Sequence, residues 1–116
     1  MIFCIEDDPN IRELILYTLK ATGYDAQGFE CGDAFFIAMQ EPYPELLILD
    51  IMLPNENGLD ILRKLKQELK TRHIPVILVT AKNTEYDKVI GLESGADDYV
   101  TKPIAMMEFL SRIKAV

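Results

Sequence analysis

Two rhythms of apolar and polar residues alternate along this chain. Short uncharged runs bounded by turn residues read as strands buried on both faces. Between them apolar residues recur at spacings of three and four, the rhythm of a helix with one buried stripe. The clearest run, Leu46 to Leu49, ends on the carboxylate Asp50 and gives way to Pro54, Asn55, Asn57 and Gly58, the composition of a loop. From the start of the chain, residues 2–5 (I-F-C-I) form a first strand that ends in Glu6, Asp7 and Asp8. Pro9 suits the first position of a helix with Asp8 as its N-cap. Ile11, Leu14, Ile15 and Leu19 give that helix its apolar face, and Gly23 fits a left-handed stop. Residues 25–29 make a second strand, polar enough for a sheet edge. Residues 33–39 make a short second helix, closed off by Pro42 and Pro44.

The strand over 46–50 is the third. Leu59, Leu62, Leu65 and Leu69 then place a third helix that runs to about Lys70. Residues 75–80 are β-branched and uncharged enough for a fourth strand. Thr84 and Asp87 have capping-box spacing and open a fourth helix, which Gly95 ends. Residues 98–101 form a short fifth strand. After Lys102-Pro103, a last helix carries Met106, Phe109, Leu110 and Ile113 on one side and is still running at Val116. Strand and helix thus alternate throughout, which predicts an α/β fold with a parallel sheet covered on both faces. No repeat, low-complexity segment or linker divides the chain, so residues 1–116 read as one domain.

Composition changes this picture in three ways. No apolar run approaches the roughly 18 residues of a membrane helix, and no targeting signal precedes the first strand, so the expected location is cytoplasmic, with no membrane partner. The net charge of −7 repels phosphate backbones, so this domain alone is expected to bind no nucleic acid. The same charge suits a protein that holds a cation. Cys4 and Cys31 lack metal-ligand spacing; Cys4, inside an apolar strand, is expected to be a buried core residue, and the lone His73 a surface residue.

In a parallel sheet all strand carboxyl ends share one edge. Glu6 and Asp7 end the first strand, Asp50 the third and Thr80 the fourth, and the fifth leads to Lys102. Three carboxylates brought together repel unless they protonate or share a cation. Oxygen ligands without Cys or His favour Mg²⁺ or Mn²⁺. An aspartate can also attack phosphorus, while a metal, a lysine and a hydroxyl steady the transferring oxygens. Each residue has a plainer reading alone. Asp50 would be a loop cap, Glu6 and Asp7 acids favoured by a helix start, Thr80 a strand residue and Lys102 a solvated lysine. Their convergence favours the chemical reading.

These residues lie in recognisable stretches: I-E-D-D-P after the first strand, L-D-I-M-L-P-N-E-N-G-L-D, V-T-A after the fourth strand, and G-A-D-D-Y-V-T-K-P. In this order and spacing, nearly end to end, the chain resembles a receiver domain of two-component response regulators, most of all those of the OmpR/PhoB subfamily of transcription factors. The resemblance implies a flavodoxin-like (βα)5 fold, a doubly wound parallel five-stranded sheet of order 2-1-3-4-5, an order taken from the family. It implies that Asp50 is the phosphoacceptor, with Thr80 and Lys102 contacting the phosphoryl group. Glu6, Asp7, Asp50 and the backbone carbonyl of Met52 would hold Mg²⁺ (or Mn²⁺). Thr80 and Tyr99 would be the switch pair, and Lys102-Pro103 a cis peptide.

The resemblance further implies a sensor histidine kinase as partner and a homodimer on phosphorylation. The dimer would form through the fourth helix, fifth strand and fifth helix, the 4-5-5 face. Lys88 with Glu108, and Asp97 or Asp98 with Arg112, are the expected pairs across a two-fold axis. It also implies a receiver cut inside its last helix and a DNA-binding effector domain beyond it, through which DNA would be reached. Two positions depart from the family pattern: Ile104 stands where Phe is common, and Ala105 where Ser or Asp often caps the last helix.

Other functions fit less well. A phosphatase of the haloacid dehalogenase type needs a second aspartate two residues after the nucleophile, and position 52 is Met. A phosphorylation-independent interaction module would not need the complete acidic set with Thr80 and Lys102. The sequence therefore reads as a phosphoacceptor signalling domain, not an enzyme in its own right, with self-phosphorylation from donors and slow autodephosphorylation expected.

Overall fold

Successive strand residues face opposite sides of a sheet, and the computed structural model, which describes residues 1–116, sorts its two cores by that rule. The main strands are β1 (Ile2–Ile5), β2 (Ala26–Phe29), β3 (Leu46–Leu49), β6 (Val76–Thr80) and β7 (Asp98–Thr101). They pair in parallel in the order β2-β1-β3-β6-β7. Two short strands, β4 (Met52–Leu53) and β5 (Glu56–Asn57), make a separate antiparallel hairpin. With the hairpin set aside, the order is the expected 2-1-3-4-5.

Phe3 and Ile5 of β1, Leu47 and Leu49 of β3, and Val76 and Leu78 of β6 pack on one face, with Phe35 of α2 (Gly32–Ala38) and Leu62 and Leu65 of α3 (Gly58–Gln67). Phe3, Phe29 and Phe35 meet edge to face there, with centroids 5.0–6.1 Å apart. The intervening residues Cys4, Ile48 and Ile77 face the other way. They pack with Ile15 and Leu19 of α1 (Pro9–Ala21) and Phe109 and Ile113 of α5 (Met106–Ala115). The fourth helix, α4 (Glu85–Glu93), lies on the first face, where Gly91 lets it sit against Leu78 and Tyr99. Cys4 is fully buried, and burial first, with the charge of Glu6 adding, pushes its thiol up to about 12. It is an inert core residue.

Helix ends follow the local chemistry. Asp8 caps α1 by accepting from the amides of Asn10 and Ile11, and Gly23 leaves it at φ 103°. Thr84 and Asp87 form a reciprocal capping box on α4. Ala105 gives α5 no side-chain cap. Two expectations fail. Leu14 is 51% exposed, because the buried stripe of α1 follows Ile15 and Leu19. The third helix stops at Gln67, and Leu69 is 74% exposed. There Thr71 Oγ1 donates to the Leu65 carbonyl at 2.7 Å, and Lys66 Nζ donates to the carbonyls of Arg72 and Ile74. The Thr71 side chain thus takes over the Leu65 carbonyl that a continuing helix would have engaged, and Lys66 pins the carbonyls of the turn that leads early toward β6.

Candidate functional site

The sheet ladder continues one residue past the strands and fixes the roots of the site. The Glu6 amide donates to the Phe29 carbonyl at 2.9 Å, and the Asp50 amide to that of Ile5 at 3.1 Å. The Lys102 amide donates to the Thr80 carbonyl at 2.9 Å, and the Lys102-Pro103 peptide is cis. Glu6, Asp50 and Thr80 are buried and Asp7 is exposed. Lys102 Nζ lies 2.8 Å from Asp50 Oδ2 and 2.5 Å from Glu6 Oε1. Asp50 Oδ1 accepts from the Met52 amide at 2.9 Å, and Glu6 Oε2 from the Asp8 amide at 3.3 Å. One carboxylate oxygen from each of Glu6, Asp7 and Asp50 lies within 4.8 Å of the others.

The charges at this edge do not balance. Burial pushes the Glu6 carboxyl above its ordinary range; the hydrogen bond from Lys102 pulls it back, and the charge of Asp50 adds to the rise. On Lys102, burial works against the ammonium, but hydrogen bonds to Asp50 and Glu6 outweigh it and raise its pKa. One ammonium serves two buried carboxylates, with a third beside them. An all-oxygen donor set short of positive charge suits a hard divalent cation.

Thr80 and Tyr99 meet on one residue. The Lys82 amide stands 3.5 Å from Thr80 Oγ1, and the Tyr99 hydroxyl donates to the Lys82 carbonyl at 2.7 Å. The Tyr99 ring is buried under α4: a Cβ at Gly91 would come within 2.9 Å of it. Burial first, then the charges of Asp87 and Asp50, pushes its hydroxyl up to about 12.

On the face of α4, β7 and α5, Arg112 Nη1 reaches both carboxylate oxygens of Asp98 at 3.0 Å. Its Nε and Nη2 reach Glu108 Oε1 at 3.1 and 2.9 Å. Both acids are thus engaged within one chain. Asp97 accepts from the Val76 amide at 2.8 Å. Lys88, Tyr99, Glu108 and Arg112 line a groove of about 250 Å³ on this face.

Sequence reasoning missed three contributors. Arg12 Nη1 donates to the Glu6 carbonyl. Its signal was present, since a cation in a helix's first turn opposes the macrodipole and calls for a reason. Glu56 Oε2 accepts from the Gly32 amide at 3.0 Å, tying the hairpin after Asp50 to α2. Nothing in the pattern marked it. Gly58, which the loop composition after Asp50 includes, instead opens α3, and a Cβ there would run into the Asp50 carbonyl.

Comparison with known proteins adds four likenesses. The family model described as the response regulator receiver domain matches residues 2–114. The phosphate regulon transcriptional regulatory protein PhoB of Escherichia coli (strain K12) is 44% identical over 115 residues, 99% of this chain and 50% of PhoB. The DNA-binding response regulator MtrA of Mycolicibacterium smegmatis is 39% identical over 114 residues, 98% of this chain and 49% of MtrA. The chain thus spans about half the length of the curated relatives it matches. The BeF3-activated N-terminal receiver domain of Klebsiella pneumoniae RstA superposes with a TM-score of 0.89 at 30% identity, covering 98% of this chain and 95% of that one.

Proposed function

The chain belongs to the response regulator receiver family, of the PhoB/OmpR type, and we propose that it is a phosphorylation-controlled switch with Asp50 as phosphoacceptor. The observation that carries the proposal is Lys102 Nζ, held against both Asp50 and Glu6 while the oxygens of Glu6, Asp7 and Asp50 converge within 4.8 Å. The donor of the phosphoryl group is a sensor histidine kinase. An Asp50 carboxylate oxygen attacks phosphorus and forms the new P–O bond. The P–N bond of the donor's phosphohistidine breaks, and the imidazole leaves with the electron pair. Lys102 holds positive charge beside the incoming phosphoryl oxygens, and the Thr80 hydroxyl donates to one of them. Glu6, Asp7, Asp50 and the Met52 carbonyl would hold Mg²⁺ or Mn²⁺, which would supply further positive charge against those oxygens.

The Thr80 hydroxyl, drawn to the phosphoryl group, withdraws from the Lys82 amide, and Tyr99 holds the Lys82 carbonyl from the other side. This is how the site reaches α4. The face carrying Lys88, Asp97, Asp98, Glu108 and Arg112 then joins a second copy, and Arg112 exchanges intrachain partners for intersubunit ones. In the complete protein, residues 1–116 serve as the receiver, and the dimer places an attached DNA-binding domain on its target in the cytoplasm.

Incubation with acetyl phosphate and Mg²⁺, followed by intact-mass measurement, tests the reading. The expected result is the gain of one phosphoryl group, abolished by chelation and by Asp50→Asn. A full gain in Asp50→Asn would sink the site assignment.

A further inference from the structure

Arg12 stands in the first turn of α1, where the helix's positive end disfavours a cation. Nη1 donates to the Glu6 carbonyl at 2.7 Å and, more weakly, to the Asp7 carbonyl at 3.4 Å. These carbonyls belong to the two residues whose side chains make the acidic pair. The Glu6 amide is still in the sheet, but no backbone amide donates to either carbonyl. The ladder has ended, and the guanidinium supplies the donor it no longer provides. The route of the arm is also built. A Cβ at Gly28 on the edge strand β2 would come within 2.9 Å of Arg12 Cγ and Cδ and within 2.8 Å of Leu16 Cδ1. The edge strand therefore has no side chain where the arm crosses it.

We infer that Arg12 is a positioning residue that fixes the backbone of Glu6 and Asp7, so that both carboxylates face the cation site. The inference rests on the proposed role of Glu6, Asp7 and Asp50 in holding a divalent cation. Loss of a group that orients a metal ligand through one intermediary commonly weakens metal binding by about ten- to a hundredfold. Charge and position predict opposite signs here. A positive charge near three carboxylates competes with a metal, so an arginine acting by charge alone would weaken cation binding, and its removal would tighten it. An arginine acting by position strengthens binding, and its removal loosens it.

The test is titration of the full chain with Mn²⁺, read by the electron paramagnetic resonance signal of the free ion. Wild type, Arg12→Gln, Gly28→Ala and the double variant are compared, with circular dichroism in EDTA to establish folding. Arg12→Gln is expected to weaken Mn²⁺ binding on the order of tenfold. Gly28→Ala, which keeps the charge but displaces the arm, should weaken it in the same direction, and the double variant should lose no more than Arg12→Gln. Unchanged or tighter binding in Arg12→Gln overturns the inference, and so does wild-type affinity in Gly28→Ala. If Arg12→Gln does not fold, Gly28→Ala alone decides. A wild-type chain that takes no Mn²⁺ defeats the cation site itself, and the positioning role falls with it.

Discussion

The carboxyl edge of the sheet and the α4–β7–α5 face each hold one cation between two carboxylates, and their surroundings make them different devices. At the edge, the side chain of Lys102 is 18% exposed and those of Glu6 and Asp50 are 3% and 4% exposed. On the face, Arg112 is 40% exposed, Asp98 24% and Glu108 60%. Solvent screens the second cluster, so its pairs contribute little and can be traded. It barely reaches the first, where an imbalance of charge is felt strongly. The rise in the Glu6 pKa, with a lysine in contact, is the mark of that imbalance. Chemistry is expected where buried charge is left short of a partner, and partner exchange where ion pairs are wet.

The largest expected effect separates the two regions directly. Lys102→Met leaves Glu6 and Asp50 buried without the cation that contacts them both. In EDTA at pH 7 it should cost about 3 kcal/mol of stability by urea unfolding, and Mg²⁺ should restore part of that loss. The pH dependence has a definite sign. The folded pKa of Glu6 lies above its ordinary 4.5, so the stability contributed by its protonation is full below 4.5 and is lost as pH rises through the folded value. The gap between wild type and Lys102→Met should therefore close as pH falls toward that range. Equal stability at pH 7 would mean that the edge is as well screened as the face.

Much of the edge is legible in the sequence, because topology delivers it. If β1, β3, β6 and β7 are parallel, Glu6, Asp7, Asp50, Thr80 and Lys102 must share an edge, and uncharged runs such as Leu46 to Leu49 are hard to read otherwise. What stayed hidden depended on contacts distant in sequence. The Glu56 bond to Gly32 spans 24 residues and leaves no periodic trace. The early end of α3 depends on Lys66 and Thr71 bonding across a turn, and an apolar Leu69 at helical spacing argued the wrong way. Leu14 misled for the same reason: spacing places a residue near a stripe but does not say which flank the sheet covers. The pairing of Arg112 with both Asp98 and Glu108 inside one chain leaves no mark in the sequence, since charges on a wet face have many partners within reach.

A smaller effect is expected at Tyr99, which joins the two regions. Tyr99→Phe removes the bond to the Lys82 carbonyl and should cost about 1 kcal/mol at pH 8. The hydroxyl, ordinarily near 10, is pushed up to about 12. Its contribution is full below pH 10 and is lost as pH rises through about 12, because the folded state keeps a proton that the unfolded state gives up. Urea unfolding from pH 8 to 11 should show a shallower alkaline fall in Tyr99→Phe than in wild type. Some fall should remain in the variant, since Lys102 also titrates above its ordinary 10.5 when folded. Parallel alkaline limbs would mean that the hydroxyl is not held as the geometry indicates.

The smallest effect tests the other half of the comparison. Arg112→Ala should cost less than about 1 kcal/mol, because its acids regain water as the guanidinium is lost. About 1 M NaCl shortens the Debye length to roughly 3 Å. Raising the salt to that level should erase most of the difference from wild type, while the penalty in Lys102→Met persists. Melting curves of both variants at low and high salt measure this. The result bears on the switch as well as on stability. Arg112 can exchange Asp98 and Glu108 for groups on a second copy only if its present bonds are cheap to break. A cost in Arg112→Ala that salt does not reduce would make the cluster an anchor of α5 on β7, and the proposed dimer would then have to form with those intrachain pairs intact.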